Sequence, residues 1–344
     1  MYSSVTLSEI RSQPELWPGT LDRVAHRSVA IAPLITGAGT SAYAAATIAA
    51  AWPGAHAVPA TDLLIDPEPP LNPQGLLISL SRSGNSSESV AVIAKMRRHY
   101  PHVKHLLITC NPQGHMAGMI GVDHIQLDPR TNDQSLVMTS SFSNLVLAGM
   151  GLTGFARLFQ SCREIARRAE GCLFEFEIQA ERIAQLKPQR ACILASPPLF
   201  PLAREAALKI LEMTAGRVVP MAETFLGLRH GPMSFLDRDT LTLCLLSSNP
   251  HIHPYEIDLI AELRAKNLGR IVALAPSHLD AALYDELVIS IAPELPDVFR
   301  TPFDILFPQL LAYALTLMAG GDPDNPSPAG VIRRVVEGVR IYEN

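Results

Sequence analysis

The sequence predicts an α/β protein made of two similar domains, each with a parallel β-sheet flanked by helices. Short apolar runs alternate with longer segments of helical periodicity, which is the pattern of βαβ units. This pattern also repeats along the chain. Residues 76–112 and 241–277 each contain a predicted strand, a turn rich in serine or asparagine, an amphipathic helix and a second strand, at an offset of about 165 residues.

The predicted elements follow one another in the same order in both halves. Predicted strands lie at 31–36, 76–80, 105–109 and 123–127 in the first half and at 191–195, 217–221, 241–246, 270–275 and 286–291 in the second. Predicted helices lie at 41–51, 87–99 and 139–159, and then at 200–214, 254–267 and 303–319. Because strands alternate with helices, we expect helices on both faces of each sheet.

The order of the elements predicts the domain organisation. We expect an N-terminal helical arm over 1–27, a first α/β domain over 28–160, a charged connecting helix over 161–188 and a second α/β domain over 189–321. The remaining tail, 322–344, begins with turn-forming residues. We expect this tail to lie near the active site and to end in a strand or a short helix.

Composition narrows the classes of partner. Of the 344 residues, 48% are hydrophobic and 18% are charged, which excludes an intrinsically disordered chain. The formal net charge is -5 at pH 7, so the chain has no basic surplus to neutralise the phosphates of nucleic acid or an anionic membrane surface. A small molecule is therefore the expected partner, with no nucleic acid and no membrane.

Cysteine usage and the uncharged stretches predict a cytoplasmic protein without a metal. The five cysteines are odd in number and show no CxxC spacing, which argues against a disulfide framework and a zinc site. His251 and His253 lack a third ligand. The N-terminus lacks the apolar core of a signal peptide. Polar residues interrupt the uncharged stretches 134–156 and 305–321, which are predicted to be buried helices.

Two turns rich in hydroxyl groups follow predicted strands of the first half, at 37–41 and 81–88. Hydroxyls, a glycine turn and a helix N-terminus at the carboxyl end of a parallel strand suit a phosphate. Each turn alone is equally typical of an ordinary helix N-cap, but two at adjacent strand ends favour a phosphate cradle. The Gly-x-Gly of the first turn is too short for a dinucleotide fingerprint, and no acidic residue ends the next strand, so no cofactor is expected.

A charged stripe marks one predicted helix of the second half. Glu205, Lys209 and Glu212 stand at i, i+4 and i+7 of helix 200–214, and most other positions are apolar. Exposed ion pairs often have this spacing, but the wide apolar coverage favours a cleft. His230, in the loop Leu-Arg-His-Gly-Pro, can titrate near neutrality and move protons, although a lone histidine is more often a bystander.

Taken together, these motifs resemble the sugar isomerase (SIS) family, whose members bind phosphosugars on two duplicated α/β domains. The matching segments occur in the family's order: GAGTSAYAA (37–45), SRSGNSSES (81–89), EAALKILE (205–212) and RHGP (229–232). MTSSFSN (138–144) and the ending DNPSPAGVIRRVVEGVRIY resemble the AgaS-like branch of galactosamine-6-phosphate deaminases and tagatose-6-phosphate ketose/aldose isomerases. The resemblance implies a flavodoxin-like αβα sandwich in each domain.

The isomerase domain of glucosamine-6-phosphate synthase, also a SIS protein, is similar at these positions. That resemblance implies that Glu212 moves the proton between C1 and C2 of the sugar and that His230 opens the sugar ring. It also implies a homodimer with active sites at the subunit interface, because the histidine there comes from the neighbouring subunit. The expected phosphate-binding residues are Thr40, Ser41, Ser81, Arg82, Ser83 and Ser86. The expected sugar-binding residues are Gly39, Ser140 and Ser141, and the further catalytic candidates are Glu205 and Lys209.

One departure from the synthase bears on the reaction. The synthase uses a C-terminal lysine to form a Schiff base with its ketose, whereas residues 322–344 contain no lysine. An amino sugar brings its own nitrogen, so Glu212 can move the C2 proton without an enzyme lysine. We therefore expect an enzyme that converts galactosamine 6-phosphate, or a related hexosamine 6-phosphate, to a ketose 6-phosphate and ammonia, with no cofactor.

Two other functions stay open on the sequence. The first is an aldose/ketose isomerase for tagatose-type 6-phosphates, which would use the same base and release no ammonia. The second is a non-catalytic phosphosugar sensor, since SIS domains also serve regulators. Residues 1–27 are too short for the DNA-binding output module that a sensor normally carries.

Overall fold

The computed structural model describes residues 4–27, 29–65 and 75–342, and the chain divides into two compact units. Unit 1 comprises the residues up to Arg11 together with Arg167–Pro328. Unit 2 comprises Ser12–Ala166 together with the residues from Ala329 onwards. Each unit is therefore assembled from two separate stretches of chain.

Unit 2 is built on a five-stranded parallel sheet with the strand order β2-β1-β3-β4-β5. Its strands are β1 (Leu34–Thr36), β2 (His56–Ala57), β3 (Leu76–Ser81), β4 (Lys104–Thr109) and β5 (Val122–Gln126). Its helices are α2 (Thr40–Ala50), α3 (Ala60–Ile65), α4 (Ser87–His99) and α5 (Ser140–Gly151), while α1 (Val5–Asp22) and α6 (Ala156–Ala184) each contain a unit boundary. All residues of β3 are buried, as expected for a central parallel strand covered on both faces.

Unit 1 is built on a second five-stranded parallel sheet with the order β10-β9-β8-β6-β7. Its strands are β6 (Arg190–Ala195), β7 (Val219–Glu223), β8 (Leu241–Leu245), β9 (Arg270–Ala275) and β10 (Glu286–Ile289). Its helices are α7 (Phe200–Met213), α8 (Phe225–Leu228), α9 (His253–Ala265), α10 (Asp297–Asp304) and α11 (Leu306–Met318). The prediction of an α/β protein with parallel sheets flanked by helices is confirmed.

Both sheets have the same strand order. In each, the second strand lies at one edge, and the first, third, fourth and fifth strands follow. In such an order the chain changes direction between the first and third strands, and ligands of α/β proteins bind outside the carboxyl ends of those strands. The turns after β1 and β3 have this position in unit 2, and the turns after β6 and β8 have it in unit 1.

Several boundaries differ from the prediction for local reasons. The predicted helix 139–159 is in fact two helices. The first, α5, ends at Gly151, and Gly154 then has φ +73°, which breaks the helical conformation before α6 begins. The predicted helix 303–319 likewise covers parts of two helices, the end of α10 and the whole of α11. The sequence analysis missed β2 and α3, which are only two and six residues long.

The prediction that the tail ends in a strand or a short helix is wrong for the residues that the structure describes. Residues 331–342 have neither, and most are exposed. Gly330, just before the segment, and Gly338, within it, have φ values of +69° and +73°, which interrupt regular structure. The segment is held by a few polar contacts described below.

Residues far apart in sequence also meet at the start of α1. The carboxylate of Asp324 accepts hydrogen bonds from the backbone amides of Val5 (3.0 Å) and Thr6 (2.8 Å). This carboxylate satisfies amides that the first turn of a helix leaves unpaired, and its charge suits the positive end of the helix dipole. Both partners belong to unit 1.

One segment, Asp297–Met318, is long and apolar enough to cross a membrane by length and composition alone, and 83% of its most apolar window is buried inside the protein. The side chains of Leu306, Phe307, Leu310 and Leu311 are at most 1% exposed. A core helix of a globular domain meets the same criterion.

Candidate active site

The turn after β1 brings two predicted phosphate-binding residues to the start of α2. Thr40 and Ser41 are the first two residues of this helix, and both are only 4% exposed. The turn before them depends on glycine, because a Cβ atom at Gly37 would lie 2.6 Å from the Cβ of Ser41. Gly39, at the N-cap, has φ +58°, a conformation that favours glycine.

The turn after β3 holds its serine hydroxyls by hydrogen bonds from its own backbone. The Ser81 hydroxyl accepts from the amide of Gly84 (2.8 Å), and the Ser83 hydroxyl accepts from the amide of Asn85 (3.2 Å). A hydroxyl that accepts a hydrogen bond keeps its own proton to donate. The two hydroxyls are therefore oriented donors for an anion, next to the N-cap residue Ser86 of α4.

Arg82 does not present its guanidinium group as a simple phosphate ligand. The side chain is 5% exposed and donates to the backbone carbonyls of Ser135 (3.4 Å), Leu136 (3.2 Å) and Arg334. These contacts tie the turn after β3 to the segment before α5 and to the C-terminal tail. The prediction of Arg82 as a phosphate ligand therefore has no direct geometric support.

The C-terminal tail reaches the start of α4. The backbone amide of Ser87 donates to the carbonyl of Val336 (3.2 Å). Nearby in the tail, the guanidinium of Arg334 donates to the carbonyl of Asp133 (2.8 Å) and to the side chain of Asn132 (2.7 Å). The tail thus binds one of the amides that the start of a helix offers to an anion.

Ser140 and Ser141, the predicted sugar-binding serines, are fully buried at the start of α5. Their amides donate to the carboxylate of Asp133 (3.0 and 2.9 Å), as does the hydroxyl of Ser141. Thr139 adds a bond from its amide (2.9 Å) and one from its hydroxyl (3.1 Å). Asp133 therefore occupies the anion-binding end of α5 from within the protein, and sequence reasoning missed it.

The charged stripe of α7 is a buried line of ion pairs in unit 1. The ammonium of Lys209 lies 3.3 Å from a carboxylate oxygen of Glu205 and 2.8 Å from one of Glu212. The side chains of Lys209 and Glu205 are fully buried, whereas that of Glu212 is 26% exposed. The line therefore runs from the interior to a carboxylate that a ligand can reach.

The packing of α7 explains why this line is buried. The helix contacts β6, β7 and α11, and its apolar residues cover the remaining sides. Burial alone would lower the pKa of the Lys209 ammonium, but the carboxylates of Glu205 and Glu212 outweigh it and raise that pKa above its usual value. Lys209 is therefore a fixed cation that holds Glu212 in place.

His230 lies outside this line, in the loop that follows α8. Its side chain is exposed, and its backbone amide donates to the carbonyl of Gly227 (2.9 Å). The adjacent Arg229 anchors the loop through the carboxylates of Asp258 and Glu262, each at 2.7 Å. An exposed imidazole on an anchored loop is accessible to a molecule outside this chain.

Residues 4–27, 29–65 and 75–342 contain no candidate metal site. No group of three or more His, Cys, Asp or Glu side chains in these ranges could hold a metal ion. The predicted site residues lie mainly in two clusters, the serine turns of unit 2 and the α7 ion pairs of unit 1.

Comparison with known proteins gives one close relative group. No protein-family model matches the chain. The chain is similar to the D-galactosamine-6-phosphate deaminase AgaS of Escherichia coli, with 35% identity over 366 residues that cover 98% of this chain and 95% of the relative.

The chain is also similar to solved structures over nearly its whole length. The chain is similar to the tagatose-6-phosphate ketose/aldose isomerase from Escherichia coli, with a TM-score of 0.87, 32% identity and coverage of 99% of this chain and 97% of that one. It also has the fold of the C-terminal domain of glucosamine-fructose-6-phosphate aminotransferase from Francisella tularensis, with a TM-score of 0.79, 17% identity and coverage of 94% and 98%. At that identity the likeness concerns the fold alone.

Proposed function

The chain belongs to the AgaS family of SIS proteins, and from this premise we propose that it converts galactosamine 6-phosphate to a ketose 6-phosphate and ammonia. The observation that carries the proposal is the buried ion-pair line that ends in the partly exposed carboxylate of Glu212. A fixed carboxylate that a substrate can reach is the group that proton transfer between adjacent carbons requires.

The proposed reaction starts from the open-chain aldehyde of the amino sugar. Glu212 removes the C2 proton, the aldehyde oxygen gains a proton, and an enolamine with a C1–C2 double bond forms. Return of a proton to C1 gives a C2 imine. Water then adds at C2 and ammonia leaves, which yields the ketose. The nitrogen comes from the substrate throughout.

The position of Lys209 between two carboxylates suits a residue that holds another side chain in place, which agrees with a route that needs no enzyme amine. A Schiff base needs a neutral amine, whereas Lys209 lies between two carboxylates that raise the pKa of its ammonium. We therefore assign to Lys209 and Glu205 the task of holding the Glu212 carboxylate. In this assignment the enzyme forms no covalent bond with the sugar.

The phosphate is assigned to the hydroxyl groups of the unit 2 turns. Ser81 and Ser83 are oriented by their own turn, and Thr40, Ser41 and Ser86 lie at the starts of two helices. Holding the phosphate fixes one end of the substrate and so lowers the entropy cost of orienting its reacting carbons. Gly39 is assigned a place beside the sugar because it lacks a side chain.

Arg82, Ser140 and Ser141 are assigned indirect roles. Arg82 holds the tail and the segment before α5, and the two serines are bound to Asp133. In this proposal they shape the walls of the sugar site from behind. Direct contact with the substrate would require them to leave these hydrogen bonds.

His230 is assigned the opening of the sugar ring, a step that needs a group able to give and take a proton near neutral pH. Its exposure fits a role in the active site of a neighbouring subunit, so we propose a homodimer with shared sites. We further propose that the protein acts in the cytoplasm, where phosphorylated sugars are formed and used.

The domain organisation is also part of the proposal. The equal strand order of the two sheets supports two copies of one SIS domain, at 28–160 and 189–321, with a flavodoxin-like αβα arrangement in each. The remaining segments are the arm 1–27, the connecting helix 161–188 and the tail 322–344. The carbonyl of Arg334 accepts from Arg82 in the phosphate turn, and that of Val336 accepts from the amide of Ser87, which supports a place for the tail near the active site.

Ammonia release tests the proposed activity. The purified protein is incubated with galactosamine 6-phosphate, with glucosamine 6-phosphate and with galactosamine without the phosphate. We expect ammonia from a phosphorylated amino sugar only, and the preferred epimer identifies the substrate. If neither phosphorylated amino sugar releases ammonia, at concentrations that raise the melting temperature of the protein, the deaminase activity is excluded.

A second candidate is an aldose/ketose isomerase without deamination. It is favoured by the likeness to the tagatose-6-phosphate ketose/aldose isomerase from Escherichia coli at 32% identity. The same base would move the proton, but no nitrogen would leave. Conversion of tagatose 6-phosphate to an aldose, measured by product analysis in the absence of ammonia release, would support this candidate.

A further inference from the structure

The turn after β8 in unit 1 has the same place in its sheet as the phosphate turn after β3 has in unit 2. Each follows the third strand of the order and lies next to the first strand. Ser247 and Ser248 stand in this turn, just before α9, as Ser81 and Ser83 stand before α4. Both turns therefore offer hydroxyls and backbone amides at the same edge of a parallel sheet.

Three donors of the turn after β8 converge on the carboxylate of Asp297, while the backbone amide of Ser247 donates to the carboxylate of Glu256 (2.8 Å). One of the Asp297 oxygens accepts from the amide (2.9 Å) and the hydroxyl (2.8 Å) of Ser248, and the other accepts from the hydroxyl of Ser247. Arg300 adds its Nε at 3.3 Å. The carboxylate thus accepts from four donors: two serine hydroxyls, one backbone amide and one guanidinium group.

The surroundings show that this is a built anion site. The side chain of Arg300 is fully buried and also donates to Asp304 and to the carbonyl of Leu246. Burial raises the pKa of Asp297, but Arg300 and the donors of Ser247 and Ser248 outweigh it and hold the pKa below its usual value. The carboxylate is thus held as an anion.

We infer that the turn after β8 is a second oxyanion cradle, and that Asp297 seals it with the carboxylate of the chain itself. An outside oxyanion, such as a carboxylate or a phosphate, fits the donor set only when this side chain is removed. The inference concerns the donors of unit 1 alone, so it stands or falls separately from the phosphate role proposed for unit 2.

Chemical rescue of Asp297→Ala tests the inference. This substitution removes one carboxylate group, and formate supplies the same group. Removal of one partner of a buried ion pair is expected to lower the melting temperature by about 6–20 °C. Formate is expected to restore several degrees of this loss, whereas sodium chloride at equal ionic strength restores none. Inorganic phosphate, as a larger oxyanion, shows whether the cradle also accepts a phosphate.

Two control variants define the result. Leu243→Ala, in the neighbouring strand β8, creates a cavity in the core, and formate should not stabilise it beyond the effect on the wild type. Asp297→Asn keeps the shape of the side chain, so its amide still fills the cradle and formate should add little. Equal effects of formate and chloride on Asp297→Ala, or equal rescue of Leu243→Ala, would overturn the inference.

A refolding experiment covers the case in which Asp297→Ala is not recovered as folded protein. The unfolded variant is diluted from denaturant into formate or into chloride, and the yield of soluble protein with native circular dichroism is measured. A yield that rises with formate and not with chloride supports the cradle. Equal yields in the two salts contradict it.

Discussion

The turns after β3 and β8 have equal places in two sheets of equal strand order, yet their hydroxyls have different partners. Ser81, Ser83 and Ser247 each accept a hydrogen bond from an amide of their own turn, but the hydroxyls of Ser247 and Ser248 also donate to the carboxylate of Asp297. The difference comes from a side chain about 50 residues further along the chain. In the proposed function, a turn of this topology therefore binds a ligand or stabilises the fold according to whether a distant element supplies an anion.

The two units also differ in the steps of the reaction that are proposed for them. The groups proposed for phosphate binding lie in unit 2, while the carboxylate proposed for proton transfer lies in unit 1. Substitutions in the two units should therefore change different quantities. The following experiments test this separation.

The largest effect is expected from Glu212→Gln. The amide keeps the size of the side chain but cannot take the C2 proton, so kcat should fall by about 10²–10⁴-fold. KM should change little, because phosphate binding belongs to unit 2. The measurement is ammonia release at saturating galactosamine 6-phosphate, with a melting curve as the folding control. Turnover within a few-fold of the wild type would remove Glu212 from its assigned role.

Lys209→Met should produce a large loss of stability. It leaves the fully buried carboxylate of Glu205 without its cation at 3.3 Å, and breaking a buried pair in this way costs about 3–5 kcal/mol. Urea unfolding measures the change. The double variant Glu205→Gln/Lys209→Met removes both charges and should recover much of the loss. A double variant no more stable than the single one would contradict the pairing.

Glu256→Gln tests a pH dependence in unit 1. Burial raises the pKa of Glu256 from its ordinary value of 4.5 to about 7, so the folded state holds its proton more tightly than the unfolded state. The wild type should therefore lose stability as the pH rises from 4.5 through 7, by about 3 kcal/mol at most. Glu256→Gln should remove this slope in urea unfolding at pH 5 and pH 8.

The control for this slope is Asp258→Asn on the same helix, whose side chain is 73% exposed in the wild type. It should keep the slope of the wild type. An unchanged slope in Glu256→Gln would show that Glu256 is not its source.

His105 in unit 2 predicts the opposite dependence. Burial lowers the pKa of its imidazole to about 4, so stability is present above the unfolded value of 6.5 and is lost as the pH falls through 4. His105→Leu should flatten this acid-side slope. Trp17 and Trp52 are the only tryptophans and both belong to unit 2, so their fluorescence reports its unfolding. An acid-side slope equal to that of the wild type would contradict the prediction.

The smallest effects come from a matched pair of serines, one in each turn. Ser83→Ala should raise KM for the phosphosugar by about tenfold, because one hydrogen bond to a charged group is lost, with little change in melting temperature. Ser248→Ala should lower the free energy of unfolding by about 1–2 kcal/mol and leave KM unchanged. A change in KM for Ser248→Ala would break the comparison between the turns.

Much of the fold could be predicted because its signals are local. Apolar strands and periodic helices are properties of short windows, and β9 lies at 270–275 as predicted. The strand β2 could not be found in this way, since two residues have no periodicity. The tail failed for a different reason: we expected a strand or a short helix there, but most of residues 331–342 are exposed, and Gly330 and Gly338 have positive φ.

The site was predictable in its residue types and less so in their contacts. The spacing of Glu205, Lys209 and Glu212 gives one helix face directly, and the structure has that line. Asp133 and Asp297 gave no signal, because each acts through backbone amides and hydroxyls whose positions only the folded chain defines. Arg82 was assigned to the phosphate from its motif, whereas its partners are carbonyls from two other segments.

The bond between Asp324 and the start of α1 joins residues more than 300 positions apart in unit 1. During synthesis the start of α1 therefore leaves the ribosome more than 300 residues before the carboxylate that caps it. Unit 2 likewise includes the residues from Ala329 onwards. Unit 1 cannot complete the start of α1 before Asp324 has been made, and a product terminated before this residue would leave both units incomplete.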